Sequence, residues 1–168
     1  MTRFTIERLS DQLDRTAFAC GADALDRYLK IQASQDMRRH FASCFVVVDQ
    51  TTAAIAGYYT LAAARLDPAE IPAELARRLP RYPEIPAALI GRLAVDRLYK
   101  GQGLGRVMIV DAVGRALQSD TAAFAVIVDA KDAAAAAFYR HLQFEPIAGN
   151  PNSLFLPVSF FAKLKGPT

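Results

Sequence analysis

The stretch from Ala88 to Met108, ALIGRLAVDRLYKGQGLGRVM, decides the fold because it joins an apolar strand to a glycine-rich turn and a helix. Its first part predicts a buried strand over Leu89 to Val95. Glycines follow at positions 101, 103 and 105, and a helix is predicted from Leu104 to about Gln118. The unpaired N–H groups and dipole of a helix N-terminus favour anions, and glycine lets the backbone approach a phosphate closely. The stretch therefore predicts a phosphate-binding turn.

Two common phosphate-binding motifs do not fit the spacing of this turn. The dinucleotide motif G-x-G-x-x-G places its third small residue where this chain has Arg106 or Met108, depending on the starting glycine. A P-loop needs Gly-Lys followed by Ser or Thr, and the sequence contains no such run. A plainer alternative stays open, in which the glycines serve the geometry of a tight strand-to-helix turn alone.

A second strand and helix follow downstream of the turn. Phe124 to Val128 predicts an apolar strand, and Ala133 to Leu142 predicts an alanine-rich helix with Asp132 as its N-cap. Gln143 stands where a left-handed glycine commonly ends a helix, so we expect a C-terminus without that glycine. Near this end, the phenol of Tyr139, with an ordinary pKa of about 10, either packs at the edge of the core or serves as a proton donor.

The order of the elements indicates a mixed sheet. Strands linked by a hairpin early in the chain, and helices that alternate with later strands, predict an α+β fold with a central mixed, mostly antiparallel sheet flanked by helices. We expect a single domain over residues 1–168. The other predicted elements are strands at Phe4–Leu9, Ala42–Asp49, Ile55–Ala64, near Phe144 and at Ser153–Leu156, and helices at Ala22 to about His40 and Ala73–Leu79, the latter within the proline-bearing segment Asp67–Pro86. One face of the first helix is expected to carry Leu25, Tyr28, Leu29, Gln32 and Ala33.

Composition is that of an ordinary globular protein, with 52% hydrophobic and 22% charged residues in a chain of 168. The longest apolar run, Ala53 to Ala64, is shorter than the roughly 20 residues that cross a bilayer. The start, MTRFTIERLS, has no apolar stretch of the secretory type, so we expect a cytoplasmic protein without a membrane partner. Cys20 and Cys44 are expected to be reduced and buried, and the spacing of His40 and His141 predicts no metal site.

The charge pattern gives limited support for an RNA partner. The formal net charge is +3 and the sequence pI is about 9.0. Several arginines cluster in the sequence and can neutralise backbone phosphates. These candidate RNA-binding residues are Arg38, Arg39, Arg77, Arg78, Arg81 and Arg92. The alternative is a set of solvated charges offset by neighbouring glutamates.

Two motifs resemble those of the GNAT acetyltransferases. The turn Lys100-Gly-Gln-Gly-Leu-Gly105 is similar to their pyrophosphate loop, Q/R-x-x-G-x-G/A, with lysine in place of Gln or Arg. The run from Ala135 to Pro146, A-x-x-F-Y-x-x-x-x-F-x-P, resembles their second coenzyme-A segment, in which Gln143 replaces a glycine. The resemblance implies the GNAT acyl-CoA N-acyltransferase fold, acetyl-CoA as cosubstrate and Tyr139 as the catalytic proton donor. It implies cofactor contacts at Leu93, Ala94, Val95, Lys100, Gly101, Gln102, Gly103, Leu104, Gly105, Arg106, Lys131 and Phe138.

Further segments resemble one subgroup, the GNAT toxins of toxin–antitoxin systems, over nearly the whole chain. They are Phe18-Ala-Cys-Gly21, Leu25-Asp-Arg-Tyr-Leu29, Ala33-x-Gln35-Asp36, Gly57-Tyr-Tyr-Thr-Leu61, Pro80-Arg-Tyr-Pro83 and Leu154-Phe-Leu-Pro157. The subgroup implies acetylation of the α-amino group of aminoacyl-tRNA, which blocks translation. It also implies a ribbon–helix–helix antitoxin, a homodimer and DNA contact only through the antitoxin. Two alternatives stay open: acetylation of a small amine or a protein N-terminus, and a non-catalytic coenzyme-A-binding module in a toxin–antitoxin complex.

Overall fold

The computed structural model describes residues 3–166, which contain a sheet and several short helices. The strands are β1 (Phe4–Arg8), β2 (Ser43–Asp49), β3 (Ile55–Leu66), β4 (Ile85–Val95), β5 (Ala125–Asp129), β6 (Glu145–Ile147) and β7 (Asn150–Pro157). The α-helices are α1 (Asp23–Arg27), α2 (Ala33–Arg38), α3 (Ala73–Arg77), α4 (Leu104–Gln118), α5 (Ala133–His141) and α6 (Phe161–Lys165).

The strands hydrogen-bond in the order β1-β2-β3-β4-β5-β7-β6. β4 pairs with β5 in parallel, whereas the pairs β1–β2, β2–β3, β5–β7 and β6–β7 are antiparallel. This pattern confirms the predicted α+β fold with a mixed, mostly antiparallel sheet.

The chain divides into two compact units, each with its own core. The first comprises Met1–Ala62 and Gly91–Asp111, and apolar side chains of its helices and of β2 and β3, such as Leu29, Val46 and Tyr58, form its core. The second comprises Ala63–Ile90 and Ala112–Thr168, with a core that contains Leu66, Ile127 and Phe155. Residues 1–2 and 167–168 of the predicted 1–168 domain lie outside the described residues. Among residues 3–166, no helix is both long and apolar enough to cross a membrane.

The first predicted helix is a continuous helical run from Asp23 to Arg38 with a π-helical turn over Tyr28–Gln32. Arg15 donates a hydrogen bond from Nη1 to the carbonyl oxygen of Leu29 within that turn, at 3.1 Å. Most of the predicted apolar face is buried or half-buried, but Gln32 is exposed, so its place on that face was wrong. The physical reason is that a π turn contains an extra residue, which rotates the following side chains relative to α-helical spacing.

β2 and β3 form the predicted hairpin, with Ser43 opposite Leu61 and a register shift between Val47 and Val48. β4 begins at Ile85, four residues before its predicted start, so the strand includes Pro86, which was predicted to lie in the preceding proline-bearing segment. In the structure Pro86 is an exposed strand residue between buried Ile85 and Ala87, and its carbonyl accepts a hydrogen bond from the N–H of Phe124 at 2.8 Å. A proline that lacks an N–H can still serve a sheet through its carbonyl.

The other element boundaries differ from prediction by a few residues, and α4 spans Leu104–Gln118 as expected. Asp132 is the N-cap of α5 as predicted, since its carboxylate accepts a hydrogen bond from the N–H of Ala135 at 2.8 Å. α6, which follows the last predicted strand, was not predicted. Cys20 and Cys44 are buried free thiols, and burial raises the pKa of Cys44 to about 12.

The end of α5 keeps a left-handed residue even though the chain has no glycine there. Gln143 has a φ of +78°. Around it, the N–H groups of Gln143 and Phe144 donate to the carbonyls of Arg140 and Tyr139 at 3.0 and 3.1 Å. Glycine is absent as expected, but the turn geometry that glycine normally provides is retained. A non-glycine residue in this conformation costs roughly 1–2 kcal/mol.

We expect Gln143→Gly to stabilise the protein by up to about 1 kcal/mol. Glycine relieves the strain but loses roughly 0.5–1 kcal/mol through the greater entropy of the unfolded chain. For a chain of this size such a gain raises the melting temperature by about 2–4 °C, measurable by circular dichroism. Gln35→Gly, the same change inside α2, is the matched control and should lower the melting temperature. A melting temperature for Gln143→Gly no higher than that of the wild type would contradict the strain argument.

Candidate active site

The glycine turn that precedes α4 has the left-handed backbone that its sequence predicts. Gly101 and Gly103 have φ values of +82° and +78°, which favour glycine. Gly105 lies inside α4 and does not share this conformation. Among the described residues, no heavy atom beyond the chain neighbours lies within 4 Å of the place where a Cβ would sit at Gly101 or Gly103. The turn is therefore open to a ligand at these two positions.

The first turn of α4 presents donors toward an anion. The N–H of Val107 donates to the carbonyl of Gly103 at 3.1 Å, so the N–H groups of the three residues before it precede the helical hydrogen-bond ladder. Leu104 is buried and fixes the helix start, whereas Gln102 and Arg106 are exposed. The helix has 15 residues and no acidic residue in its first turn. These features fit the diphosphate of a nucleotide cofactor.

The segment between β4 and the glycine turn is tied to residues near the start of the chain. The carboxylate of Asp96 accepts hydrogen bonds from the N–H groups of Ala19 at 3.0 Å and Leu98 at 2.9 Å. Lys100 donates from Nζ to the carbonyl oxygen of Cys20 at 3.0 Å. The predicted phosphate-binding lysine thus already uses one of its three donors on the protein, and the other N–H groups remain for an anion.

The carboxyl end of β4 extends beyond its pairing with β5. The parallel register runs from Ala87–Ala125 to Ile90–Val128, and β4 continues to Val95. Leu93 and Val95 are half-buried, whereas Ala94 is buried. A Cβ at Gly57 of β3 would lie 2.9 Å from the carbonyl oxygen of Ala94, so only glycine permits this close approach. The three predicted cofactor residues of β4 therefore lie on a strand end that is positioned by tight backbone contact.

Tyr139 lies on α5 and is 7% exposed. Its ring contacts those of Phe138 and Phe144, with centroid distances of 5.3 and 5.7 Å. Burial, and secondarily the charge of Asp129, raises the pKa of Tyr139 to about 12. The phenol is therefore protonated at neutral pH, as a proton donor must be, and the raised pKa makes it a weaker acid than an exposed tyrosine.

Phe138 and Lys131, both predicted cofactor contacts, have accessible side chains near Tyr139 in the sequence. Phe138 is 37% exposed, although one edge of its ring packs on Tyr139. Lys131 is exposed just before the N-cap of α5. Aromatic and cationic groups of this kind fit the adenine and phosphates of a nucleotide.

The predicted RNA-binding arginines form two groups, one in each compact unit. Arg92 on β4 places its guanidinium carbon 3.6 Å from the ring centroid of Tyr28, whose hydroxyl donates to Asp36 at 2.7 Å. Hydrogen bonds from Gln32 and Tyr28, and the nearby charges of Arg92 and Arg39, lower the pKa of Asp36. Arg39 and Arg92 are thereby placed around one carboxylate, and Arg38 is exposed at the end of α2.

The second group lies at and beyond the end of α3, where Arg77, Arg78 and Arg81 are exposed. Arg77 forms an ion pair with Glu74 at 3.7 Å, but both side chains are well exposed, so the pair is weak. These arginines therefore remain accessible to a polyanion.

Asp129, the last residue of β5, is a site residue that the sequence reasoning missed. Its carboxylate accepts a hydrogen bond from the hydroxyl of Ser153 at 2.6 Å, and its charge acts on Tyr139. An acidic residue directly after a buried apolar strand was the available signal. Among residues 3–166, no cluster of three or more His, Cys, Asp or Glu residues is arranged to hold a metal ion.

Comparison with known proteins supports the interpretation of these features. The family model described as an acetyltransferase (GNAT) domain matches residues 19–153. A tRNA-acetylating toxin of Mycobacterium tuberculosis is 36% identical over 151 residues, which cover 89% of each chain. The solved structure of AtaT complexed with acetyl-methionyl-tRNAfMet has a TM-score of 0.86 and 30% identity, and the match covers 96% of this chain and 99% of that chain. A tyrosine-to-phenylalanine mutant of AtaT, bound to acetyl-CoA and the C-terminus of the antitoxin AtaR, has a TM-score of 0.78 and 26% identity, with 99% and 100% coverage.

We expect Gly101→Ala and Gly103→Ala each to weaken acetyl-CoA binding about tenfold, because a Cβ in the left-handed region costs roughly 1–2 kcal/mol and distorts the turn. Isothermal titration calorimetry measures the dissociation constants. Gly149→Ala is the matched control: Gly149 has a φ of +81° and open surroundings, but lies outside the turn. That variant should lose stability and keep its affinity for acetyl-CoA. Equal affinities for acetyl-CoA in all three variants would show that the turn does not contribute to binding.

Proposed function

The chain belongs to the GNAT acetyltransferase family and is an N-acetyltransferase, and from this premise we propose that it acetylates the α-amino group of aminoacyl-tRNA and so blocks translation. The observation that carries the proposal is a left-handed glycine turn at the start of α4 in a chain that resembles a tRNA-acetylating toxin over 89% of its length. The AtaT complex with acetyl-methionyl-tRNAfMet supports the same substrate class.

In this proposal, backbone N–H groups of residues 102–106 bind the diphosphate of acetyl-CoA. Backbone groups of Leu93 and Val95 pair with its pantetheine arm, and Lys131 and Phe138 contribute further contacts. Acetyl-CoA supplies an activated acetyl thioester. The N–H of Leu93 polarises the thioester carbonyl and stabilises the negative charge that develops on its oxygen.

The amine needs no strong protein base. An α-amino group has a pKa of about 7.7–8.0, so a useful fraction is neutral at neutral pH and can attack the thioester carbon directly. Tyr139 donates its proton to the departing sulfur, which leaves as a thiol. The phenolate left behind is a stronger base than the amine, so it takes the proton that the amine loses as the amide bond forms. The net products are an amide and free coenzyme A, and Tyr139 returns to its starting state.

The partner proposals follow from the same family. The arginines at positions 38, 39, 77, 78, 81 and 92 neutralise tRNA backbone phosphates. A ribbon–helix–helix antitoxin binds the protein, as the AtaT complex with the C-terminus of AtaR supports, and links it to DNA only indirectly. We place the protein in the cytoplasm as a homodimer, with residues 1–168 as a single acetyltransferase domain.

Transfer of radiolabel from acetyl-CoA tests the substrate class. We expect label on charged tRNA, with loss of the signal when the aminoacyl ester is hydrolysed. Uncharged tRNA, free amino acids, polyamines and peptides with a free N-terminus serve as comparison substrates. Preferential labelling of a small amine or a peptide would instead favour a GNAT enzyme of different specificity, and lack of transfer to every acceptor would favour a non-catalytic module.

Tyr139→Phe should reduce kcat by about 100-fold or more, because phenylalanine retains the packing but cannot donate a proton. The dissociation constant of acetyl-CoA should stay within about twofold, since the variant leaves the glycine turn intact. Radiolabel transfer measured at quenched time points gives kcat, and isothermal titration calorimetry gives the dissociation constant. Tyr82→Phe, the same change at a tyrosine that is 69% exposed, is the control and should leave both unchanged. Full turnover in Tyr139→Phe would exclude this phenol from the chemistry.

A further inference from the structure

The glycine turn depends on its two ends for its position. Among the described residues, no heavy atom beyond the chain neighbours lies within 4 Å of the place of a Cβ at Gly101 or Gly103, so no side chain packs on the turn at these two points. At the downstream end, Leu104 and Met108 of α4 are buried, at 3% and 0% exposure. At the upstream end, the last buried side chain before the turn is Tyr99, which closes the 3-10 turn Arg97–Tyr99.

Tyr99 is held by a hydrogen bond to a buried carboxylate. Its hydroxyl donates to Oδ2 of Asp49 at 2.7 Å, and its hydroxyl oxygen lies 3.4 Å from Oγ1 of Thr52. The ring packs edge-on against Phe4, with centroids 5.9 Å apart. The side chain thus connects the start of the glycine turn to β1 and to the turn after β2.

Asp49 is a rigid acceptor because several donors surround its carboxylate. Arg3 donates from Nη2 at 3.0 Å, and Thr51 donates from its N–H at 3.0 Å and from its hydroxyl at 2.7 Å. The side chain is 0% exposed, and the hydrogen bond from Arg3 holds its pKa well below the usual range. A hydrogen bond to a charged, buried acceptor is stronger than one between neutral groups.

We propose that Tyr99 is a positioning residue, whose hydrogen bond to Asp49 sets the place and orientation of the glycine turn and thereby the affinity for the diphosphate of acetyl-CoA. The inference rests on the proposed function. The peptide units directly after Tyr99 lead to the backbone N–H groups that donate to the diphosphate. Loss of the hydrogen bond to Asp49 therefore lets the turn sample positions that do not bind it. The ligand then binds only the correctly placed fraction, which weakens its apparent affinity.

Tyr99→Phe tests the proposal, because it keeps the ring and its packing but removes the hydrogen bond. We expect the KM and the dissociation constant of acetyl-CoA to rise about tenfold, within the range for a hydrogen bond to a charged group. The kcat at saturating acetyl-CoA should stay within about twofold, since Tyr99 does not touch the reacting groups. With S-acetyl-pantetheine, which lacks the diphosphate, kcat/KM should be the same for variant and wild type.

Tyr58→Phe is the matched control. It also removes a buried phenol that donates a short hydrogen bond, to the carbonyl of Leu25 at 2.6 Å, but that bond ties down α1 rather than the glycine turn. We expect this variant to lose comparable stability with unchanged KM for acetyl-CoA. Hydrogen exchange at the amides of residues 100–106 provides a second measurement, and it should be faster in Tyr99→Phe than in the wild type or in Tyr58→Phe.

Two kinetic results would overturn the positioning role: an unchanged KM for acetyl-CoA in Tyr99→Phe, or an equal loss of kcat/KM with S-acetyl-pantetheine. Unaltered amide exchange in a folded Tyr99→Phe protein would also contradict it. Failure of the wild-type protein to bind acetyl-CoA is a different outcome, since it would refute the proposed function itself. The wild-type titration therefore distinguishes the two failures.

Discussion

The carboxylate of Asp96 ties together the two stretches of backbone on which the glycine turn depends. One oxygen accepts from the N–H of Ala19, which is 77 residues away in the sequence, and the other accepts from the N–H of Leu98. The N–H of Arg97 returns a bond to the carbonyl of Ala19 at 2.9 Å, and Lys100 reaches the carbonyl of Cys20. Because these bonds satisfy backbone groups on both sides, the connector can leave β4, turn sharply and still begin α4 at a fixed place.

The parts of the fold that the sequence predicts are those coded by local pattern. The bounds of α4 were right because the glycines mark its start and helical periodicity defines its body. Asp132 was recognised as an N-cap for a similarly local reason. The start of β4 was missed because Pro86 was assigned to the proline-bearing segment before the strand, although its carbonyl accepts a hydrogen bond from the N–H of Phe124. The π turn was missed because the extra residue leaves no mark in the hydrophobic pattern.

In the candidate site, too, some residues could be predicted from local sequence pattern and others could not. Its motif residues, the glycine turn and Tyr139, could be named from spacing, whereas the groups that position or tune them lie far away in the sequence. Asp49 meets Tyr99 across 50 residues, and Ser153 meets Asp129 across 24. The three carboxylates Asp49, Asp96 and Asp129 nevertheless share one trait: each ends or directly follows an apolar strand. A strand end exposes unsatisfied donors and turns the chain, so a carboxylate placed there can organise several neighbouring groups at once.

The π-helical turn over Tyr28–Gln32 holds one residue more than regular helix would need. Each residue of an α-helix advances the chain by about 100° around the axis. If the same sequence wound as a regular α-helix through this turn, the residues beyond it would be rotated by about that angle. Asp36 would leave the hydroxyl of Tyr28, and its carboxylate would move away from the guanidinium of Arg92. The winding of one helical turn, with no change of fold, thus sets the charge pattern on this face of the protein.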